Sequence, residues 1–151
     1  MRYYEDFEVG VWRTRSERYA VTKDEIVEMG KKWDPQPFHV DEEAAAASEF
    51  GGLVASSVHL FAITVSLSPL EGEVPAAVSA LGFDNMRMRA PARPGDVLWY
   101  RSRVMRKRPS ASRAGCGIVE LEGELFNQDD EVVLSYENAA LIRMREPGAA
   151  E

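Results

Sequence analysis

Leu53 to Leu67 reads LVASSVHLFAITVSL, and this stretch decides the fold. It amounts to about four helical turns without one charged side chain, ended by Ser68-Pro69. A helix that is apolar on nearly every face belongs in an interior, so the rest of the chain has to cover it. Downstream, strand-like segments run over Ala80–Ala90, Val97–Arg106, Gly115–Phe126 and Glu131–Arg145, separated by Pro91–Asp96, Arg108–Ala114 and Asn127–Asp130. In the third segment Val119, Leu121 and Leu125 alternate with Glu120, Glu122 and Glu124, the period of two that buries one face and wets the other. One antiparallel sheet wrapped around one long, central, buried helix is the economical packing, an α+β fold.

Working upstream, Gly51-Gly52 stops a short Ala-rich helix, Glu42–Ser48, that Asp41 can cap. Before it, Asp34-Pro35-Gln36-Pro37 cannot continue a helix, because each proline lacks an amide hydrogen and biases its predecessor away from the α region. A further helix is expected to start at Thr22-Lys23-Asp24-Glu25. This is capping-box spacing, with Thr22 accepting from the third helical amide and Glu25 reaching back, and Ile26, Val27 and Met29 supply the apolar face as far as Trp33. Val11–Val21 reads as a strand entered through Gly10, and residues 147–151 as a frayed tail. No repeat or linker divides the 151 residues, so they are expected to form one domain.

Composition excludes several function classes. No run approaches a membrane helix, the acidic N-terminus is unlike a signal peptide, and a cytoplasmic location is expected. The single Cys116 rules out an intrachain disulfide and reads as an incidental thiol. The net charge of -7 gives no drive toward nucleic acid or anionic membranes. That charge is uneven: residues 1–75 hold 7 bases and 14 acids, whereas 76–151 hold 11 of each. Arg87 to Arg113 contains nine bases against the one acid Asp96, a segment of +8. It is either a solvated face paired with acids elsewhere or a site for a phosphorylated ligand.

Both histidines lie in or beside the central helices. His59, between Val58 and Leu60, reads as a satisfied core or edge histidine. His39 follows Asp34 by five residues with two prolines between, which can hold a carboxylate and an imidazole on one side of a cleft. That pairing suits general acid-base work on a water, the alternative being a capping Asp and a surface His. A serine hydrolase is disfavoured, since no Gly-x-Ser-x-Gly elbow is present and Ser57 and His59 point to different helix faces. A metal site lacks a second histidine at i, i+4 spacing.

Trp33-Asp34-Pro35-Gln36-Pro37-Phe38-His39-Val40-Asp41, with Ala44, Ser48, Phe50-Gly51-Gly52 and Ala55-Ser56, resembles the MaoC-like acyl-CoA dehydratases, relatives of (R)-specific enoyl-CoA hydratases with the hot-dog fold. Gly82-Phe83-Asp84 to Arg89-Ala90-Pro91 and Arg93-Pro94-Gly95-Asp96 resemble a later strand and turn of that family. The resemblance implies that Asp34 and His39 hold one water for reversible hydration of a trans-2-enoyl thioester, Asp34 as base and His39 as partner and proton donor. It implies a backbone amide at Ser57 as oxyanion donor, with Ser56 beside it. Trp33 and Phe38 are then expected at the acyl pocket and Arg87, Arg89 and Arg93, with Arg106, Lys107 and Arg108, at the coenzyme A phosphates. No metal or redox cofactor is implied, coenzyme A entering only as part of the substrate. The working unit is implied to be a homodimer or an assembly of dimers. Trp33, Gln36 and Ser57 depart from the family's Gly, Asn and Gly. The alternatives are a hot-dog thioesterase, whose carboxylate the central helix lacks, and a non-catalytic acyl-CoA-binding or regulatory module.

Overall fold

In the computed structural model, which describes residues 1–69 and 73–145, the chain folds as an antiparallel sheet with helices packed on it. The expected tail at 147–151 lies outside the described residues. The strands are β1 (Trp12–Thr14), β2 (Tyr19–Ala20), β3 (Ala77–Met88), β4 (Val97–Pro109), β5 (Cys116–Phe126) and β6 (Val132–Arg143). Sheet order is β1-β4-β5-β6-β3, with β2 also on the outer edge of β4. The expected single strand Val11–Val21 is therefore two short ones, Trp12 opposite Arg103 and Tyr19 opposite Leu98, interrupted where the chain leaves the ladder at residues 15–18.

The helices are α1 (Lys23–Trp33), α2 (Pro37–Val40), α3 (Glu42–Ala47) and α4 (Ser57–Leu67). Thr22 caps α1 by accepting from the Glu25 amide at 3.2 Å, and Asp41 caps α3 from the Ala44 amide at 2.7 Å. The reciprocal half of the Thr22 box does not form: the Glu25 carboxylate turns inward to the Tyr19 hydroxyl. The proline-rich loop also holds more order than expected, since Pro37 at the first position of α2 has the φ a helix start needs.

Two corrections concern the central helix. It begins at Ser57 rather than Leu53, because Ser56 Oγ accepts from the His59 amide at 3.2 Å and so sets the helix start, while Leu53–Ser56 run buried and extended. It is also not enclosed on every side. Leu60, Ile63 and Leu67 pack with Ile26, Leu98, Tyr100, Leu125 and Val133 in the main core, whereas Val58 and Val65 stay 44% and 48% exposed. Leu81, Phe83 and Met88 on β3 are exposed as well, so among the described residues α4 and β3 both present large apolar side chains at the surface.

Inside the sheet, Tyr100 and Tyr136 share a buried 2.8 Å hydrogen bond directly over Gly123, where a Cβ would lie 2.5 Å from the Tyr136 ring. On the outer face Arg101, Arg103 and Arg106 pair across β4 and β5 with Glu124, Glu122 and Glu120. Three of the nine bases of the +8 segment are thus paired within the sheet. Among the described residues no helix is long and apolar enough to cross a membrane.

Candidate active site

The site forms where α1 ends against α2. Asp34 is the C-cap of α1, its amide donating to the Gly30 carbonyl at 2.9 Å, and Pro35 then forces the chain out of the helix. Gln36 N–H donates to the Asp34 carbonyl at 2.8 Å, closing a tight turn that returns the chain as α2. The two helices approach closely because position 30 is glycine. A Cβ there would lie 2.9 Å from Val40 Cγ1 and 3.0 Å from both His39 Cβ and the His39 carbonyl.

His39 is 6% exposed, and its Nε2 lies 3.5 Å from Asp34 Oδ2. Its Nδ1 is 2.6 Å from the Val54 carbonyl, which can only accept, so Nδ1 carries a hydrogen in either charge state. Proton exchange is therefore confined to Nε2, the nitrogen facing Asp34. In the neutral imidazole, Nε2 and Oδ2 are both acceptors, an arrangement that invites a donor with two hydrogens, such as one water. The Asp34 side chain is 28% exposed and the pair opens on a pocket of about 380 Å³ lined also by Phe38, Phe50, Val54, Ala55, Ser57, Leu60, Met88, Arg89, Ala90 and Pro91.

Ser57, which lines the pocket, is the first residue of α4, so its amide has no acceptor within the helix and sits at the positive end of the dipole. Ser56 is 1% exposed and its hydroxyl is used as the helix cap. Phe38 meets His39 edge-on at 4.6 Å and Phe50 at 5.0 Å, an aromatic wall that holds the imidazole ring.

The remaining expected residues divide. Arg89 lines the pocket and is anchored by Nε to Ser135 Oγ at 3.0 Å. Arg93 lies at its rim, donating to the carbonyl of the lining residue Phe50 at 2.6 Å. Arg87 is exposed and bonds the adjacent Met86 carbonyl. Arg106, Lys107 and Arg108 do not line the pocket: Arg106 pairs with Glu120, and Lys107 bonds the carbonyls of Tyr4 and Glu5. Trp33 is 59% exposed beneath Lys32 and does not line it either.

Three contributors were not read from the sequence. Gly30 has a visible signal, a glycine inside an otherwise good helix, which often marks a close approach. The Val54 carbonyl has none, because it is a backbone atom from 15 residues away. Met88 reaches the pocket through the sheet edge.

A family model described as "MaoC like domain" matches residues 7–122. The MaoC-like dehydratase of Rhodospirillum rubrum superposes with a TM-score of 0.87 at 35% identity, covering 97% of this chain and 100% of that one. The R-hydratase PhaJ1 of Pseudomonas aeruginosa gives 0.75 at 22% identity over 99% and 92% of the two chains. RV0216 of Mycobacterium tuberculosis, a double hot-dog protein, gives 0.78 at 19% identity over 97% of this chain and 46% of its own. With the sheet wrapped on α4 and the Asp-Pro-Gln-Pro-Phe-His turn in place, these likenesses make the chain a member of the MaoC-like dehydratase domain family with the hot-dog fold.

Proposed function

We propose that the protein is a hydro-lyase that adds water reversibly to a trans-2-enoyl thioester, most simply of coenzyme A, and removes it from the 3-hydroxyacyl thioester. The observation that carries this reading is the 3.5 Å pairing of Asp34 Oδ2 with His39 Nε2 at a pocket that Ser57, the first residue of α4, also lines. In the hydration direction the pair begins with the imidazole protonated, so that one water accepts from Nε2–H and donates to Asp34 Oδ2. The water oxygen bonds to C3 while its proton passes to Asp34, and the C2–C3 π electrons move toward the thioester carbonyl. The Ser57 amide donates to the oxygen on which that negative charge gathers. Nε2–H then gives its proton to C2, and the proton on Asp34 crosses back to Nε2. Every step is a proton transfer or an addition, so the reaction needs no redox partner. Arg89, which lines the pocket, and Arg93, which bonds the carbonyl of the lining residue Phe50, are the arginines proposed to meet the coenzyme A phosphates.

The exposed apolar flank supports a second proposal for assembly: another copy of the chain covers Val58, Val65, Leu81 and Met88, and so walls the pocket.

The direct experiment follows loss of crotonyl-CoA absorbance at 263 nm. Wild type is expected to turn over, with Asp34→Asn and His39→Gln each about 10²- to 10⁴-fold slower. Equal slow traces from all three, repeated across a panel of branched, dicarboxylic and acyl-carrier-protein enoyl thioesters read by mass spectrometry, would overturn the hydratase reading.

A further inference from the structure

His59 is 1% exposed, and neither ring nitrogen has a hydrogen-bond partner among the described residues. Buried polar side chains are nearly always satisfied, so an unsatisfied one calls for a reason. The nearest charge is Glu25, whose Oε2 lies 3.4 Å from His59 Nε2. The other oxygen, Oε1, accepts from the Tyr19 hydroxyl at 2.5 Å. Burial and the bond to Glu25 push the Tyr19 phenol up to about 12, so it stays a donor at working pH. The three side chains come from three elements: Tyr19 from β2, Glu25 from the first turn of α1, His59 from the first turn of α4. None of them lines the pocket of Asp34 and His39.

Their placement gives them a purpose. α1 carries Glu25 at one end and Asp34 as its C-cap at the other, while α4 begins at Ser57, two residues before His59. Ile26 of α1 and Leu60 and Ile63 of α4 belong to one apolar core, and the burial of apolar area is by itself non-directional. The 3.4 Å approach of Glu25 to His59 is polar, and although it falls short of a well-formed hydrogen bond it favours the register that keeps it, fixing register being the best-attested use of buried polar groups. We infer that Tyr19, Glu25 and His59 are positioning residues that lock α1 against α4 and thereby set the distance from the Asp34 carboxylate to the Ser57 amide. This also explains why Glu25 abandons the capping box that its spacing with Thr22 would allow.

The inference uses the hydratase reading only for its kinetic readout, so the test has two arms. In the first, Glu25→Leu, His59→Leu, the double variant and Tyr19→Phe are assayed with an enoyl thioester at a temperature where each is folded by circular dichroism. Each leucine variant is expected to lose about tenfold to 10²-fold in kcat with KM within about twofold, the scale of a small misplacement of reacting groups. The double variant is expected to be no slower than the worse single one, and Glu25→Gln, which keeps a carbonyl acceptor, to recover part of the loss. In the second arm, backbone amide chemical shifts of Asp34 and Ser57 are expected to move in both single variants without any substrate. Unchanged kcat in folded variants, additive losses in the double, or unmoved Asp34 and Ser57 amides would overturn the positioning role. Should no thioester turn over in wild type, the hydratase reading falls while the amide shifts still decide this one. If the leucine variants do not fold, Glu25→Gln and Tyr19→Phe, which conserve shape, carry both arms.

Discussion

At the scale of single residues, the pair Asp34 and His39 works through what surrounds it. The imidazole is aimed by the Val54 carbonyl on one nitrogen and by the edge of Phe38, so the other nitrogen can face only Asp34 and the pocket. Gly30 is the least conspicuous of these supports. Its missing Cβ is what lets α1 approach the backbone of His39, and backbone cannot swing aside as a flexible side chain can. Gly30→Ala is therefore expected to push α2 outward, costing about 1–3 kcal/mol of stability as overpacking does and about 10²-fold in turnover by widening the Asp34–His39 gap. Alanine is intrinsically the better helix former, so an unchanged or raised unfolding midpoint with full activity would sink this account. The pair itself was legible because proline spacing is written along the chain. Val54 was not, since a carbonyl brought in by folding leaves no mark in side-chain order.

Among the elements, the short polar details set boundaries that the apolar pattern left vague. Hydrophobicity alone carries the central helix back to Leu53, but the Ser56 cap starts it at Ser57, a residue that lines the pocket. Ser56→Ala is expected to destabilise the protein by about 1 kcal/mol, seen as a lowered denaturant midpoint with unchanged slope. The same helix makes a prediction about pH. Burial holds the His59 imidazole below its ordinary value of 6.5, against the opposing pull of Glu25. Above that value neither folded nor unfolded chain charges it, and its effect on stability is constant. Below it the unfolded chain takes a proton that the folded chain refuses, so stability falls with pH by at most about 1.4 kcal/mol per unit until the folded imidazole also titrates. Denaturation curves from pH 7.5 to 5 should show wild type losing ground to His59→Leu. Parallel curves would mean that His59 charges equally well in both states. Helix α2 and the break between β1 and β2 were not legible, because each depends on which partner strand or helix arrives.

For the whole molecule, charge and apolar surface carry different messages. The sequence allows the +8 segment to be a solvated face paired with acids elsewhere or a site for a phosphorylated ligand, and the sheet pairs Arg101, Arg103 and Arg106 with Glu124, Glu122 and Glu120 while leaving Arg89 and Arg93 near the pocket. A linear count of charges allows such pairing but cannot name the partners, because cross-strand pairing is a long-range event. The apolar flank is the stronger signal. Val58 and Val65 on α4 and Leu81 and Met88 on β3 are each more than two-fifths exposed, and β3 pairs only with β6 among the described residues. Exposed strand edges and apolar faces are normally covered, and in the proposed assembly a second copy meeting this flank about a two-fold axis would bury both at once. Met88 also lines the Asp34–His39 pocket, so covering the flank and walling the active site become one event. Leu81 is the test position because it is 51% exposed and lies outside the pocket's lining. In wild type, light scattering is expected to give at least twice the 16.9 kDa chain mass. Leu81→Lys is expected to give one chain mass with unchanged circular dichroism, because an unpaired ammonium buried in the proposed interface is costly and an exposed one is not. Turnover should then fall with dilution in wild type and be low at every concentration in the variant. A wild type that scatters as a monomer while turning over at full rate would separate assembly from activity and end the dimer proposal.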